Sequence, residues 1–252
     1  MEYVKSETHG GITTIEFYHP QSNSLPLKLL ELLAQEIHFA GTHEETKVIV
    51  LKSEGEKAFC AGASFDELLL IKTENQGLHF FSGFANVINA MRKCPKVIIA
   101  RVQGKCVGGG VGLVCAADYA IATDKAEIKL SELAIGIGPF VVGPAVERKI
   151  GTAAFSALAI DAQMWRNSDW ARKKGMFAEV HESIDNMDES IHRLADSLAH
   201  SSPAAMAELK KIFWKGTEHW DSLLHERAVI SGKLILGSFS KLAIQKFKTR
   251  PS

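Results

Sequence analysis

The feature that most constrains this chain is a run of three glycines, Gly108-Gly109-Gly110, at a predicted corner between a strand and a helix. The apolar residues Val97–Val102 predict a buried strand, and residues 111–117 continue as an apolar, small-residue segment typical of a helix. Glycines leave their backbone N–H groups uncovered, and the helix start adds the positive end of its dipole. The corner therefore suits an oxygen that carries or gains negative charge, such as a phosphate or an enolate.

Motifs for phosphate binding do not fit this corner. Gly112 is followed by Leu113 and Val114, so the G-x-x-x-x-G-K-[ST] pattern is absent, as is G-x-G-x-x-G with an acidic residue at the expected distance. Taken alone, the glycines are equally consistent with close packing of a helix against a strand. Other segments of the chain must therefore distinguish an anion-binding corner from simple helix–strand packing.

A second corner of small residues favours the enolate. The strand-like run Val48-Ile49-Val50-Leu51 precedes residues 56–65, where Ala61, Gly62 and Ala63 stand before a helical run from residue 66 to 71. Two backbone N–H groups that converge on one oxygen form an oxyanion hole, and loss of one donor typically costs roughly 3–4 kcal/mol. The sequence thus offers two corners with accessible donors.

Four segments in combination resemble the crotonase, or enoyl-CoA hydratase/isomerase, superfamily, and the likeness runs from about Val4 to Phe247. The segments are His19-Pro20 with Asn23-Ser24-Leu25, Ala58-Phe59-Cys60-Ala61-Gly62-Ala63-Ser64, Gln103-Gly104 through Gly108-Gly109-Gly110 to Ala117-Asp118, and Leu130-Ser131-Glu132 through Gly136-Ile137-Gly138-Pro139. The resemblance implies an α/β fold, a crotonase-like spiral of repeated ββα units with a C-terminal helical trimerisation region. It also implies a homotrimer or hexamer.

The same resemblance assigns roles in the site. It implies that the backbone N–H groups of Ala63 and Gly109 form the oxyanion hole and that Glu132 is the catalytic acid/base. A carboxylate in a dry pocket has a raised pKa and can exchange a proton near neutrality, whereas without the match Glu132 would be read as an exposed or first-turn carboxylate. The implied substrate-binding residues are Ala61, Ala63, Ser64, Phe65, Asp66 and Gly109.

Coenzyme A is expected as part of the substrate, so no separate cofactor is implied. Lys246 and Lys248, in the C-terminal helix, are candidates to bind the phosphates of coenzyme A. Either lysine could reach phosphates in its own subunit or across a subunit boundary. The pocket walls are expected from residues 68–84 and 138–146. The sequence does not name the acyl group.

The chain departs from the superfamily pattern at Gly112. Hydratases with two glutamates carry the second carboxylate at this position, so Glu132 is left to move protons alone. A methylglutaconyl-CoA hydratase-like enzyme, acting on a short or branched 2-enoyl-CoA, is the first reading, because Val111-Gly112-Leu113-Val114 and Phe140-Val141-Val142 match that subgroup. A Δ3,Δ2-enoyl-CoA isomerase with a single glutamate base is the alternative. A dehalogenase is set aside, since no aspartate lies near Phe140.

Composition agrees with an enzyme of this class and excludes others. The 252 residues are 46% hydrophobic and 23% charged, and 29 basic residues balance 29 acidic ones, so neither disorder nor nucleic-acid binding is indicated. No signal peptide or membrane segment is expected, and the location is predicted to be the cytoplasm. The four cysteines and ten histidines show no metal-ligand spacing, so no metal is implied. A scaffold that binds RNA or protein remains a non-enzymatic alternative.

The order of predicted elements indicates two regions. Strands and helices alternate in the first two thirds, which predicts a largely parallel sheet with right-handed crossovers. After about Ile160 helices dominate, with starts predicted near Pro203 and His219. We therefore predict a crotonase-like core at residues 1–195 and a C-terminal helical region at 196–252. The apolar surface of that region is expected to pack on its own sheet, on a neighbouring subunit, or on both.

Overall fold

The computed structural model describes residues 1–249, with side chains up to Phe247. Its first elements are β1 (Tyr3–His9), β2 (Ile12–Tyr18), α1 (Leu27–Thr42), β3 (Val48–Ser53), β4 (Ala58–Cys60), α2 (Phe65–Leu70), α3 (Glu74–Lys93), β5 (Val97–Val102), β6 (Lys105–Val107) and α4 (Gly109–Ala116). There follow β7 (Tyr119–Thr123), β8 (Glu127–Lys129), a 3-10 turn (Glu132–Ile135), α5 (Gly143–Ile160), β9 (Arg166–Asn167), α6 (Ser168–Lys173), β10 (Glu179–His181), α7 (Ile184–Ala199), α8 (Pro203–Phe213), α9 (Trp220–Leu234) and α10 (Ser238–Thr249).

The strands form two sheets. The six-stranded sheet has the order β1-β2-β3-β5-β7-β10, and all its pairs are parallel except the β1–β2 hairpin. The second sheet has the order β4-β6-β8-β9. Each of β3, β5 and β7 is followed by a short strand of the second sheet, so a strand–strand–helix unit is repeated along the chain. The predicted α/β spiral of ββα units is confirmed.

The second sheet places the functional loops. β4, β6 and β8 are parallel neighbours, with Cys60 beside Cys106 and Cys106 beside Ile128. Because parallel strands end at the same edge of a sheet, the loops that follow them meet there. Each of the three implied catalytic positions lies three or four residues beyond one of these paired residues.

Apolar burial explains why the sheets hold these positions. The main core lies between the sheets and the helices α1, α3, α4 and α5, and includes Phe17, Leu30, Phe59 and Ile88, all fully buried. A second core joins α7 to the outer face of the six-stranded sheet through Met187 and Ile191, which pack against Val48, Ile99 and Ile121. Dense cores of this kind resist displacement of the strands that carry the site.

The C-terminal region packs on its own chain. The predicted boundary after residue 195 falls inside α7, which covers the sheet. Beyond it, α9 crosses α3, and α10 contacts both α2 and the 3-10 turn. Phe239 and Leu242 on α10 nevertheless remain 66% and 58% exposed. Within residues 1–249, no helix has the length and apolar character to cross a membrane.

Candidate active site

The loop after β4 presents the first predicted oxyanion donor. Ala63 forms a parallel bridge with Leu25, in which the N–H of Leu25 donates to the Gly62 carbonyl at 2.7 Å and the N–H of Ser64 donates to the Leu25 carbonyl at 3.2 Å. In such a bridge the polar groups of the opposite residue, here Ala63, face the other way. The bridge therefore fixes the loop with the Ala63 N–H facing away from Leu25, and Ala63 lines a cleft.

The loop after β6 presents the second donor. Gly109 is the first residue of α4, so its N–H precedes the hydrogen bonds of the helix; those of Val111 and Gly112 go to the Gly108 carbonyl. A Cβ on Gly62 would lie 3.4 Å from the Gly109 nitrogen, so the two loops are in contact. Both donors belong to one cleft wall. Their convergence on a single oxygen stays a prediction.

Glycine is needed at two successive positions of this corner. Gly108 has φ 52° and ψ −116°, a backbone conformation that L side chains rarely adopt. A Cβ on Gly109 would lie 2.1 Å from Cε1 of Phe84, which no real contact permits. The glycine run therefore lets α4 start directly against the Phe84 ring, with Gly108 and Gly109 lining the cleft.

Glu132 brings a single carboxylate to the same place. It begins the 3-10 turn after β8, and its Oε1 lies 3.1 Å from the position that a Cβ on Gly108 would take. Oε2 is buried and has no hydrogen-bond partner among the described residues. Burial raises the pKa of Glu132 from 4.5 to about 7, because the charged form loses hydration and gains little in return. Such a carboxyl can both accept and return a proton near neutral pH.

Ala63, Gly109 and Glu132 line one cleft. Of the predicted substrate-binding residues, Ala61, Ala63, Phe65 and Gly109 line it. Ser64 and Asp66 are not among its lining residues: the Ser64 hydroxyl accepts a hydrogen bond from the Glu67 N–H at the start of α2, and Asp66 accepts one from Gln21. The remaining walls are mainly apolar and come from Leu68, Phe81, Phe84, Val107, Ile135, Ile137, Pro139, Phe140, Val141 and Val142.

The expected walls at 68–84 and 138–146 both contribute to the cleft, whereas α9 was not anticipated. Ser231 of α9 lines the cleft, although it lies far from the motifs in sequence. No local pattern marks this residue, since α9 has its apolar residues spread around the helix. Only the crossing of α9 over α3 reveals it.

Val142 fills the space next to Gly112, where a second carboxylate would stand. A Cβ on Gly112 would lie 2.5 Å from Cγ1 and 2.7 Å from Cβ of Val142. The missing glutamate has therefore not left a gap in the site. The cleft is built around one carboxylate.

Gly112→Glu is accordingly expected to destabilise the fold rather than to restore a second catalytic group. Overpacking of a core typically costs about 1–3 kcal/mol, and an unpaired buried carboxylate adds to that. Urea unfolding measures the loss. Adding Val142→Ala, which removes Cγ1, should recover part of it. Equal stability of wild type and Gly112→Glu would contradict the packing described here.

Cys60 is placed beside the oxyanion loop but is not set up as a nucleophile. Its Sγ accepts a hydrogen bond from the Gly62 N–H at 3.4 Å, and it is fully buried. Burial raises the pKa of the thiol to about 12, so the reactive thiolate is disfavoured. All four cysteines are buried and free, as expected for small core residues.

Lys246, one of the two lysines proposed to bind the phosphates of coenzyme A, lines a surface crevice with Phe239, Phe247 and Gln163. The side chain of Lys248 lies outside the described residues. The part they play in binding coenzyme A stays a prediction.

Comparison with known proteins places this chain in one family. The enoyl-CoA hydratase/isomerase family model matches residues 7–240. The structure superposes on an enoyl-CoA hydratase from Bacillus halodurans with a TM-score of 0.89, at 21% identity and over 97% of this chain and 99% of that one, which establishes the shared fold. The chain belongs to the enoyl-CoA hydratase/isomerase family and is an acyl-CoA-processing enzyme.

Curated relatives within that family are named for different reactions. The mitochondrial methylglutaconyl-CoA hydratase of Rattus norvegicus is 28% identical over 78% of this chain and 63% of its own length. The peroxisomal Δ(3,5)-Δ(2,4)-dienoyl-CoA isomerase of Arabidopsis thaliana is 24% identical over 86% of this chain and 82% of its own length. Similarity alone therefore does not choose between hydration and isomerisation.

Proposed function

We propose that this enzyme is a Δ3,Δ2-enoyl-CoA isomerase in which Glu132 moves one proton between two carbons of the acyl chain. The observation that carries the proposal is the solitary carboxylate: among the described residues that line the cleft, Glu132 alone is ionisable, and Val142 fills the place of a second carboxylate. Isomerisation needs one base that becomes an acid, whereas the usual hydration site uses two carboxylates to hold water. Apolar walls favour a reaction without water.

The proposed steps balance without any further reactant. The Glu132 carboxylate takes a proton from C2 of a 3-enoyl-CoA, and the C–H electron pair moves towards the thioester carbonyl. The resulting dienolate oxygen is held by the N–H groups of Ala63 and Gly109. The same carboxyl then returns the proton to C4 as the 3,4 double bond shifts to positions 2 and 3 and the carbonyl re-forms.

Hydration of a 2-enoyl-CoA is the second candidate. It is favoured by the likeness to methylglutaconyl-CoA hydratase and by the hydroxyl of Ser131, which lines the cleft next to Glu132 and can contact a water molecule. One carboxylate can take a proton from that water and deliver it to C2. The two reactions share the enolate and differ in their products.

A product assay separates the candidates. The enzyme is incubated with a 3-enoyl-CoA and, separately, with a 2-enoyl-CoA; the conjugated thioester absorbance is followed and the products are resolved by mass. Isomerisation predicts a rise in absorbance with 3-enoyl-CoA and no mass change. A gain of 18 mass units, the mass of one water, from 2-enoyl-CoA without isomerisation would assign the enzyme to hydration instead.

The rate should depend on the ionisation of Glu132. Its pKa lies at about 7, and only the ionised form accepts the C2 proton, so kcat/KM is expected to level off above roughly pH 8 and to fall about tenfold per unit below pH 7. A series of kcat/KM measurements between about pH 5 and 9 provides the check. A rate that stays constant down to about pH 5, where an ordinary glutamate is still ionised, would contradict this role.

The homotrimer or hexamer, and the cytoplasm as location, belong to the same proposal. Exposed apolar side chains on α10 and nearby, Phe239, Leu242, Ile160 and Leu133, support burial against another subunit. Light scattering of the purified protein measures the number of subunits.

A further inference from the structure

Two glycines let α9 approach α3 closely enough to become part of the cleft wall. A Cβ on Gly77 would lie 2.6 Å from Cα of Gly232, and a Cβ on Gly232 would lie 2.7 Å from the nitrogen of Leu78. The helices therefore touch backbone to backbone at this point. Phe81 lies one turn beyond Gly77 and faces the cleft, and Ser231 precedes Gly232.

Ser231 is a buried hydroxyl residue in a mainly apolar wall. It is 1% exposed and lines the cleft. Unlike Ser222 near the start of the same helix, whose hydroxyl donates to the His219 carbonyl, its side chain makes no hydrogen bond with the described residues. The hydroxyl is therefore available for a hydrogen bond with a group on a bound ligand.

The charge of the cleft limits what that ligand group can be. Among the described residues, those that line the cleft include no lysine, arginine or histidine, and Glu132 is the one ionisable side chain. A carboxylate at the far end of an acyl chain would be buried with no cation from the described residues and near another carboxylate. An uncharged oxygen carries no such penalty.

We propose that Ser231 is a specificity-determining residue whose hydroxyl binds an uncharged oxygen, of a hydroxyl or keto group, on the acyl chain. The cleft correspondingly rejects acyl groups that end in a carboxylate. This inference rests on the acyl-CoA function and extends it to a substrate class: neutral, oxygenated acyl thioesters. It also separates this enzyme from the methylglutaconyl-CoA subgroup, whose substrate carries a free carboxylate.

Calorimetry with saturated CoA thioesters tests the proposal without any turnover. The ligands are hexanoyl-CoA, its hydroxy and keto derivatives at C4, C5 or C6 as accessible, and the derivative with a terminal carboxylate. At least one oxygenated ligand is expected to bind about tenfold more tightly than hexanoyl-CoA, the usual worth of one hydrogen bond. Hydroxy and keto arms identify which oxygen is preferred, and the carboxylate ligand should bind at least about tenfold more weakly.

Ser231→Ala should abolish the preference for the oxygenated ligand, and Ser222→Ala is the matched control on the same helix, expected to keep it. The proposal is overturned if Ser231→Ala retains the preference, if wild type prefers hexanoyl-CoA over every oxygenated ligand, or if the carboxylate ligand binds best. These ligands are not turned over, so the catalytic proposal stands or fails separately. If the enzyme showed the ligand preference but no isomerase activity, the isomerase proposal would be refuted and the role of Ser231 would stand.

Discussion

Replacement of Glu132 by glutamine is expected to lower kcat by about 10²–10⁴-fold, the usual worth of a general acid–base group. Glutamine keeps the size of the side chain but can neither take the C2 proton nor return it. The loss should appear in kcat, because the carboxylate acts on the transition state more than on the bound substrate. Turnover of a 3-enoyl-CoA measures kcat, and calorimetry with a saturated thioester measures binding.

Glu189→Gln is the matched control for this variant. Glu189 is exposed on α7, on the far side of the six-stranded sheet from the cleft, and should leave kcat at the wild-type value. If Glu132→Gln turned over enoyl-CoA substrates at a rate near wild type, Glu132 would not be the base. The base would then have to be a group other than the described cleft-lining side chains, since Glu132 is the one ionisable residue among them.

The same substitution should stabilise the fold at high pH. Below about pH 4.5 Glu132 is protonated in both the folded and the unfolded chain. As the pH rises to about 7, the unfolded chain ionises first, so the folded state loses stability relative to it; above pH 7 the cost is constant at about 3 kcal/mol. Glutamine carries no such cost. Denaturant unfolding at about pH 8.5 should therefore favour Glu132→Gln, with the gain vanishing towards pH 4.5.

Local sequence signals predicted several of the longer elements of the fold. The strand at Val97–Val102 has the predicted bounds, and the predicted starts near Pro203 and His219 lie within one residue of α8 and α9. Strand alternation and helix capping depend on neighbouring residues, which a single sequence displays. The short strands β4, β6 and β8 are less visible, because three residues are too few to set a period.

The parts of the site that escaped prediction depend on contacts between distant residues. Val142 beside Gly112 and Ser231 in the cleft wall result from the packing of α5 and α9, which no local pattern encodes. Ser64 and Asp66 follow the oxyanion donor directly in sequence, and their side chains form hydrogen bonds with the Glu67 N–H and with Gln21. Their part in substrate binding stays a prediction.

Gly109→Ala is expected to lower kcat by about 10²-fold or more while the fold is kept. The new methyl group would lie 2.1 Å from Cε1 and 2.7 Å from Cζ of Phe84, so either the ring or the first turn of α4 must move. Phe84 is 3% exposed and packs against Phe80, which leaves the ring little room. The start of α4 therefore shifts, and the Gly109 N–H with it. Loss of one oxyanion donor costs about 10²–10³ in kcat, and a shift of about 1 Å costs about 10².

A second substitution distinguishes displacement of the donor from general damage. Phe84→Leu removes Cε1 and Cζ, the two atoms nearest to the new methyl group, so the double variant Gly109→Ala/Phe84→Leu should recover part of the lost kcat. The recovery is judged against Phe84→Leu alone, with kcat on a 3-enoyl-CoA and binding of a saturated thioester measured for each. Wild-type kcat in Gly109→Ala would mean that the ring yields and α4 does not. In that event the tight contact with Phe84 would not be what holds the donor in place, and the role of the glycine would be confined to its accessible N–H.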